Sequence, residues 1–192
     1  MRTFFCLPVD PRLAERLAEL SREARARIST RASWVPRDNF HVTVRFLGEI
    51  DPMLTVDLES VCAEVTRKIP AFDLSIDRTG AFPTAERARV LWAGGEAPEP
   101  FRALTQRLEG SLERLGFGRS RPETLAHITL ARLKGRPDPG IAATIAALSE
   151  IPRWTLRADR LVLMESRLTP RGAEYTPLFT VPLAGGDGDV RV

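Results

Sequence analysis

The chain has 192 residues, 43% of them hydrophobic, and a formal net charge of +3. That length fits one domain or two small lobes sharing a site, with enough apolar content for a real core. The small charge excludes a strongly basic protein that coats nucleic acid. Lys68 and Lys134 are the only lysines, so almost every cation is arginine. The guanidinium fork suits phosphate oxygens, although a GC-rich coding bias gives the same skew. Cys6 and Cys62 are the only cysteines, too few for a disulfide framework, and are expected as buried free thiols. The opening apolar run is closed by Pro8 and Asp10, too early for a signal segment, and no stretch approaches the ~18 apolar residues of a span. The expectation is a soluble, cytoplasmic monomer without cofactor.

In chain order, residues 3–8 predict a strand rich in Phe, and Asp10-Pro11 predict the cap and first position of a helix. Leu13, Leu17, Leu20, Ala24 and Ile28 give that helix one apolar face. Trp34-Val35-Pro36 leads through a polar turn into a second strand over 40–47, ended by Gly48. A helix follows Asp51-Pro52, burying Leu54, Leu58, Val61 and Val65. Phe72, Leu74 and Ile76 alternate as in a half-buried strand, and 89–93 form another. The second half repeats the grammar. A helix carries Phe101, Leu104, Leu108, Leu112 and Leu115 and stops at Gly116. A strand covers 126–133, a short helix 141–148, and strands 154–165 and 175–183. Residues 185–192 predict a flexible tail.

This order mixes hairpin-like strand pairs with helices and predicts an α+β fold with mostly antiparallel sheets. No low-complexity linker separates the halves. They are expected to pack as two pseudo-symmetric lobes of a single unit over 1–184, flanked by helices, with a cleft between them.

The chain has two histidines, in His41-Val42-Thr43-Val44 and His127-Ile128-Thr129-Leu130. Both spell His, apolar, Thr, apolar. Chance agreement of both contexts is on the order of one in several thousand at ordinary composition. A lone histidine on a strand is more often a surface or satisfied core residue; two copies holding every histidine, in matching halves, favour catalysis. On a strand, residues i and i+2 share a face. Each motif therefore turns its apolar pair to a core and its His/Thr pair to something polar. A pseudo-two-fold sets the pairs facing each other.

Two imidazoles and two hydroxyls suit a phosphodiester. In-line displacement at phosphorus needs a base behind the nucleophile and an acid behind the leaving oxygen. A free imidazole pKa of about 6.5 lets one histidine be neutral and the other protonated. Such help is worth about 10²–10⁴-fold per group. Thr43 and Thr129 would bind the non-bridging oxygens as charge builds there. The motif leaves acid and base interchangeable. A metal site is poorly supported, because catalytic zinc usually takes three protein ligands and no H-x-x-x-H or C-x-x-C cluster exists.

The segments WVPRDNFHVTVRFLGEI, GAFPTAERARVLWAG, AHITLAR and MESRLTPRGAEYTPL resemble the two-histidine (2H) phosphoesterases, and within them the RNA 2',3'-cyclic phosphodiesterases, also called 2'-5' RNA ligases. The resemblance runs from the first strand to about Leu183. It implies two α+β lobes around a cleft, and hydrolysis of RNA 2',3'-cyclic phosphate ends to 2'-phosphates; with no metal-ligand cluster in the sequence, the reaction is expected to be metal-independent. It further implies His41 as proton donor to the leaving 3'-oxygen, His127 as proton acceptor from water, and Thr43 and Thr129 as phosphate binders. One departure is Ala126, where the family commonly has proline.

Four flanking positions are further candidates. Arg45 shares parity with His41 and Thr43, so alternation points it at the cleft as a phosphate ligand. Phe46 and Arg132 each lie five residues after a histidine, and strict alternation puts them on the far face. The family uses these positions for the base and the phosphate, and a bulge would reconcile the two; core packing is the competing role for Phe46. Tyr175, the only tyrosine, is a candidate for stacking on a base, with packing as its alternative. Trp34 and Trp92 read as packing residues. Two other functions remain in view: nucleotide-independent ligation by the reverse reaction with a 5'-hydroxyl, and a non-catalytic module that binds RNA ends. No Lys-x-Asp-Gly motif supports ligation through an adenylated lysine.

Overall fold

The computed structural model of the protein describes residues 1–120, 125–135, 137–169 and 172–186. The end of the expected flexible tail, 187–192, lies outside the described residues.

The first strand, β1 (Arg2–Pro8), leads into α1 (Pro11–Arg27). Asp10 caps this helix, its carboxylate accepting from the N–H groups of Arg12 at 2.9 Å and Leu13 at 3.1 Å. These satisfy donors that have no partner inside the helix. A short strand, β2 (Ala32–Trp34), and a 3-10 turn over Arg37–Asn39 precede β3 (His41–Glu49). Next come α2 (Thr55–Thr66), the antiparallel pair β4 (Phe72–Phe82) and β5 (Val90–Glu96), and α3 (Glu99–Arg114). The chain continues with β6 (Leu125–Leu133), α4 (Ile141–Ala147), β7 (Glu150–Ala158), β8 (Arg160–Thr169) and β9 (Gly172–Pro182). The single strand expected over 154–165 is two strands broken at Asp159, because its halves pair with different partners: β7 with β4, and β8 with β1 and β9.

All nine strands share one sheet in the order β7-β4-β5-β6-β3-β1-β8-β9, with β2 beside β6. The α+β class and the two related halves agree with the sequence. The halves share this sheet rather than each holding its own. A pseudo-two-fold between β3 and β6 exchanges β1 with β5 and β8 with β4.

The sheet cannot be flat. Only Asp159 separates β7 from β8, so their facing ends lie within about 8 Å. Six strand spacings of about 4.8 Å would place them about 29 Å apart in a flat sheet. The sheet therefore curls until its two ends converge. A bridge from Pro70 to Ala184 joins the same two ends.

The helices pack their apolar faces on one side of this sheet. Leu13, Leu17 and Leu20 of α1, Leu58 of α2, Leu104 and Leu108 of α3 and Ile145 of α4 join Phe5, Leu7, Val42, Val44, Ile128 and Leu130 in one core that runs through both halves. Cys6 and Cys62 are buried and unpaired. No helix among the described residues is long and apolar enough to cross a membrane.

The seam between halves is short. β3 and β6 share one register pair, Val42 with Ile128. Further along, β2 takes the β6 edge, pairing Ala32 to Leu133 and Trp34 to Ala131. The two central strands thus touch at one point and diverge. Ile128→Ala should cost about 2–5 kcal/mol in urea unfolding, as large-to-small changes in a filled core do. A loss under about 1 kcal/mol would contradict the seam as a packed junction.

Candidate active site

Val42 and Ile128 are fully buried at the seam. Their antiparallel pairing sets His41 opposite Thr129 and Thr43 opposite His127. All four side chains leave the sheet on the face away from the helices, because Val42, Val44, Ile128 and Leu130 point into the core. In a regular antiparallel pair, directly opposite Cβ atoms lie about 4.5–5.5 Å apart, and diagonal ones about 7–8 Å. The histidines occupy one diagonal of this square and the threonines the other. A diagonal of that length leaves room for one phosphoryl group hydrogen-bonded on both sides.

The two histidines have different surroundings. The Nδ1 of His41 lies 2.8 Å from the Asn39 carbonyl oxygen. A carbonyl only accepts, so Nδ1 carries the proton and Nε2 is left for the cleft. Phe4 lies 4.8 Å from the His41 ring between centroids, and Tyr175 stands edge-on at 5.3 Å. This burial lowers the His41 imidazole from 6.5 to about 4; the Asn39 carbonyl opposes the shift, and the charges of Arg132 and His127 add to it. His127 meets Phe82 edge-on at 5.0 Å and Trp92 at 6.5 Å. Trp92 in turn stacks on Phe82 and lies over Gly80, where any Cβ would collide with the indole. Tyr175 belongs to β9, three strands from β3, so its approach to His41 makes the histidine face concave.

Each motif strand bulges three residues after its histidine. Against β1, Thr43 pairs with Cys6 and Arg45 with Phe5, skipping Val44. Against β5, Thr129 pairs with Trp92 and Ala131 with Leu91, skipping Leu130. Val44 and Leu130 both stay buried. Each bulge reverses the parity of the strand residues beyond it. Phe46 therefore comes to the cleft side, 5.7 Å from Phe4 between ring centroids. Arg132 likewise comes to the cleft.

The same bulge overturns the expectation for Arg45. Its partner Phe5 faces the core side, and Arg45 lies there too. Its Nε donates to both Glu109 carboxylate oxygens on α3, at 2.6 and 3.1 Å, and its other nitrogens donate to the carbonyls of Phe46 and Gly118. Arg45 ties β3 to α3 and does not enter the cleft. Simple alternation failed because nothing in one strand's sequence marks where the extra residue goes.

The Arg132 guanidinium makes no ion pair among the described residues. It lines a cavity of about 470 Å³ together with Arg2, Phe4, Phe46, Leu168 and Tyr175. Burial raises the Tyr175 phenol above its usual value, partly offset by Arg132. Trp34 is half-buried against the core, in line with a packing role, whereas Trp92 is buried beside His127. The sequence missed Phe4 and Phe82, which wall the histidines. Phe4 reaches His41 only through the pairing of β1 with β3, and Phe82 lies beyond the alternating stretch 72–76. No group of three or more His, Cys, Asp or Glu side chains among the described residues is placed to hold a metal ion.

The model of the family described as LigT-like phosphoesterase matches residues 7–92 and 95–175. The chain belongs to this family. It is 29% identical over 181 residues to the RNA 2',3'-cyclic phosphodiesterase of Methanothermobacter thermautotrophicus, covering 93% of this chain and 96% of that one. It is 30% identical over 171 residues to the protein of the same name from Aeropyrum pernix, covering 88% and 96%. A crystal structure from Thermus thermophilus superposes with a TM-score of 0.78 at 27% identity, over 96% of this chain and 99% of that one. Family membership and fold thus agree with the resemblance read from the sequence.

The buried His41 has a consequence for stability. The unfolded chain protonates it below about pH 6.5, whereas the folded protein does so only below about pH 4. The unfolded state binds more protons in that window, so stability falls on acidification from 6.5 to 4, by up to about 3 kcal/mol. Above pH 6.5 the contribution is flat. His41→Gln should reduce the stability difference between pH 7 and 4.5 in urea unfolding. An identical difference in both proteins would contradict a neutral, desolvated His41.

Proposed function

We propose that this phosphoesterase hydrolyses RNA 2',3'-cyclic phosphate ends to 2'-phosphomonoesters by histidine general acid–base catalysis without metal. The observation that carries the reading is the square of His41, Thr129, Thr43 and His127 around one seam. The names of the curated relatives point to the same substrate class.

In this reaction the cyclic phosphate sits on the square. His127 takes a proton from water as the water oxygen attacks phosphorus. The bond to the 3'-oxygen breaks, and His41 Nε2 gives that oxygen its proton. The 2'-oxygen keeps the phosphate. Thr43 and Thr129 donate hydroxyl protons to the non-bridging oxygens, which gain charge in the transition state. Arg132 faces the same anion. Phe46 and Tyr175 offer ring surface to the terminal base.

His41 must be protonated to act as the acid, yet burial holds it neutral in the empty cleft. The substrate supplies the correction: a phosphate monoanion within hydrogen-bond reach favours imidazolium and opposes the desolvation. The Asn39 carbonyl on Nδ1 favours imidazolium as well. The assignment of acid to His41 and base to His127 follows the family resemblance, since the square is nearly symmetric.

The donor set supports chemistry without a metal, because the two imidazoles belong to no group of three or more His, Cys, Asp or Glu side chains among the described residues that could hold a metal ion. The deciding experiment is product analysis on an oligonucleotide ending in a 2',3'-cyclic phosphate, with and without EDTA. A 2'-phosphate formed equally in EDTA is expected, and His41→Ala and His127→Ala should each cost at least about 10²-fold in rate. A 3'-phosphate would reverse the leaving group. Activity that EDTA abolishes and zinc restores would contradict the metal-free route. A 2'-5' linkage formed with a 5'-hydroxyl acceptor would mark the reverse reaction in the same cleft. Binding without any product would leave an RNA-end binding module.

A further inference from the structure

Asn39 is bonded in two directions. Its backbone carbonyl accepts the Nδ1 proton of His41, and its side-chain Nδ2 donates to the Ala173 carbonyl at 2.8 Å. Asn39 closes the 3-10 turn at the seam, where β2 and β3 both abut β6. Ala173 belongs to β9, two residues before Tyr175.

The hairpin of β8 and β9 needs such a tie. β8 pairs with β1 only from Val162 to Glu165. Beyond that point, Ser166 pairs with Tyr175 and Leu168 with Ala173, within the hairpin alone. An isolated two-stranded ribbon is at best marginally stable in water. This tip nevertheless lies over the cleft, with Tyr175 edge-on to His41 and to Phe4 at 5.3 and 5.0 Å. Leu168, an apolar side chain left 74% exposed, and Tyr175 form one wall of the 470 Å³ cavity, facing Phe46 and Arg132.

We propose that the Asn39 carboxamide is a positioning residue that latches the β8–β9 tip across the cleft, holding Tyr175 against His41 and closing a wall of the pocket for the terminal nucleoside. The nucleoside assignment rests on the reaction proposed above, whereas the latch rests on geometry alone. One residue thereby couples two settings. Its main chain fixes which nitrogen of His41 faces the phosphate, and its side chain fixes how deeply that histidine is covered. Substituting the side chain leaves the carbonyl in place, so the two roles separate by experiment.

The test uses the full chain and two natural probes. Tyr175 is the only tyrosine, and His41 and His127 are the only histidines, so their ring signals in NMR are few. In the wild-type protein the Tyr175 ring should show large ring-current shifts from its aromatic neighbours. Asn39→Ala should return these signals toward unstructured values. It should also raise the His41 midpoint from about 4 toward 6.5 by a unit or more, as water reaches the ring. Arg132, His127 and Tyr175 are the titratable and charged groups that bear on His41 across the cleft, and the substitution removes none of them.

Asn39→Asp keeps the size of the side chain but cannot donate to a carbonyl, so it should lose the Tyr175 shifts as well. A role in filling space alone predicts wild-type shifts in Asn39→Asp, and that result overturns the latch. Unchanged Tyr175 and His41 signals in Asn39→Ala overturn it too. If both variants unfold, the wild-type Asn39 amide decides. A slowly exchanging, hydrogen-bonded Nδ2 proton supports the latch, and a freely rotating amide contradicts it. With a cyclic-phosphate oligonucleotide, KM should rise about tenfold as the wall of the nucleoside pocket is lost, and the limb of the pH–rate profile set by the acid should move with the His41 midpoint. No turnover by the wild type would sink the proposed reaction while leaving the NMR readings to judge the latch.

Discussion

One antiparallel pair, Val42 against Ile128, governs the geometry of the cleft. Because the two residues are buried and in register, the residues on either side of them are brought together across the seam. Each histidine must face the other half's threonine, and the two histidines must lie on a diagonal. A slip of one residue would turn both imidazoles into the core. The core under the seam draws on helices from both halves, so the packing that stabilises the fold also fixes the square. The divergence of β3 and β6 beyond this pair, with β2 filling one edge, opens space around the square without disturbing it.

The symmetry stops at the walls. His41 lies under Phe4 and Tyr175, with Nδ1 committed to a carbonyl. His127 lies beside Phe82 and Trp92. The positions that the pseudo-two-fold relates carry different residues: Cys6 pairs with Thr43 where Trp92 pairs with Thr129, and Phe46 answers to Arg132. A symmetric pair of imidazoles is thereby given two different surroundings, which suits the acid and the base of the proposed reaction. In the proposed reaction the bound anion brings the proton to His41, so acid competence would depend on substrate. An empty cleft would keep a neutral imidazole under a hydrophobic cover.

Much of this was legible in the sequence, for identifiable reasons. The helices show in the spacing of Leu13, Leu17 and Leu20 and in the Asp10-Pro11 cap, which are local signals. The His/Thr faces show in strand parity, which holds until the first irregularity. The bulges at Val44 and Leu130 carry no local signature, because an extra residue in one strand is defined only against its partner. Arg45 was therefore placed in the cleft when it belongs to Glu109 on α3. The break at Asp159 was hidden for the same reason: both flanking segments have strand character, and only their pairing with opposite ends of the sheet separates them. The role of Asn39 depends on a contact with Ala173 that no sequence spacing announces.

In the proposed reaction, four side chains from two halves address a single phosphorus. The most direct measurement is a crystal structure with a bound 2'-phosphate nucleotide. One phosphate is expected on the square, with a ring nitrogen of each of His41 and His127 and the hydroxyls of Thr43 and Thr129 within hydrogen-bond distance. A phosphate held by one half alone, or lodged outside the His41–His127 diagonal, would contradict it.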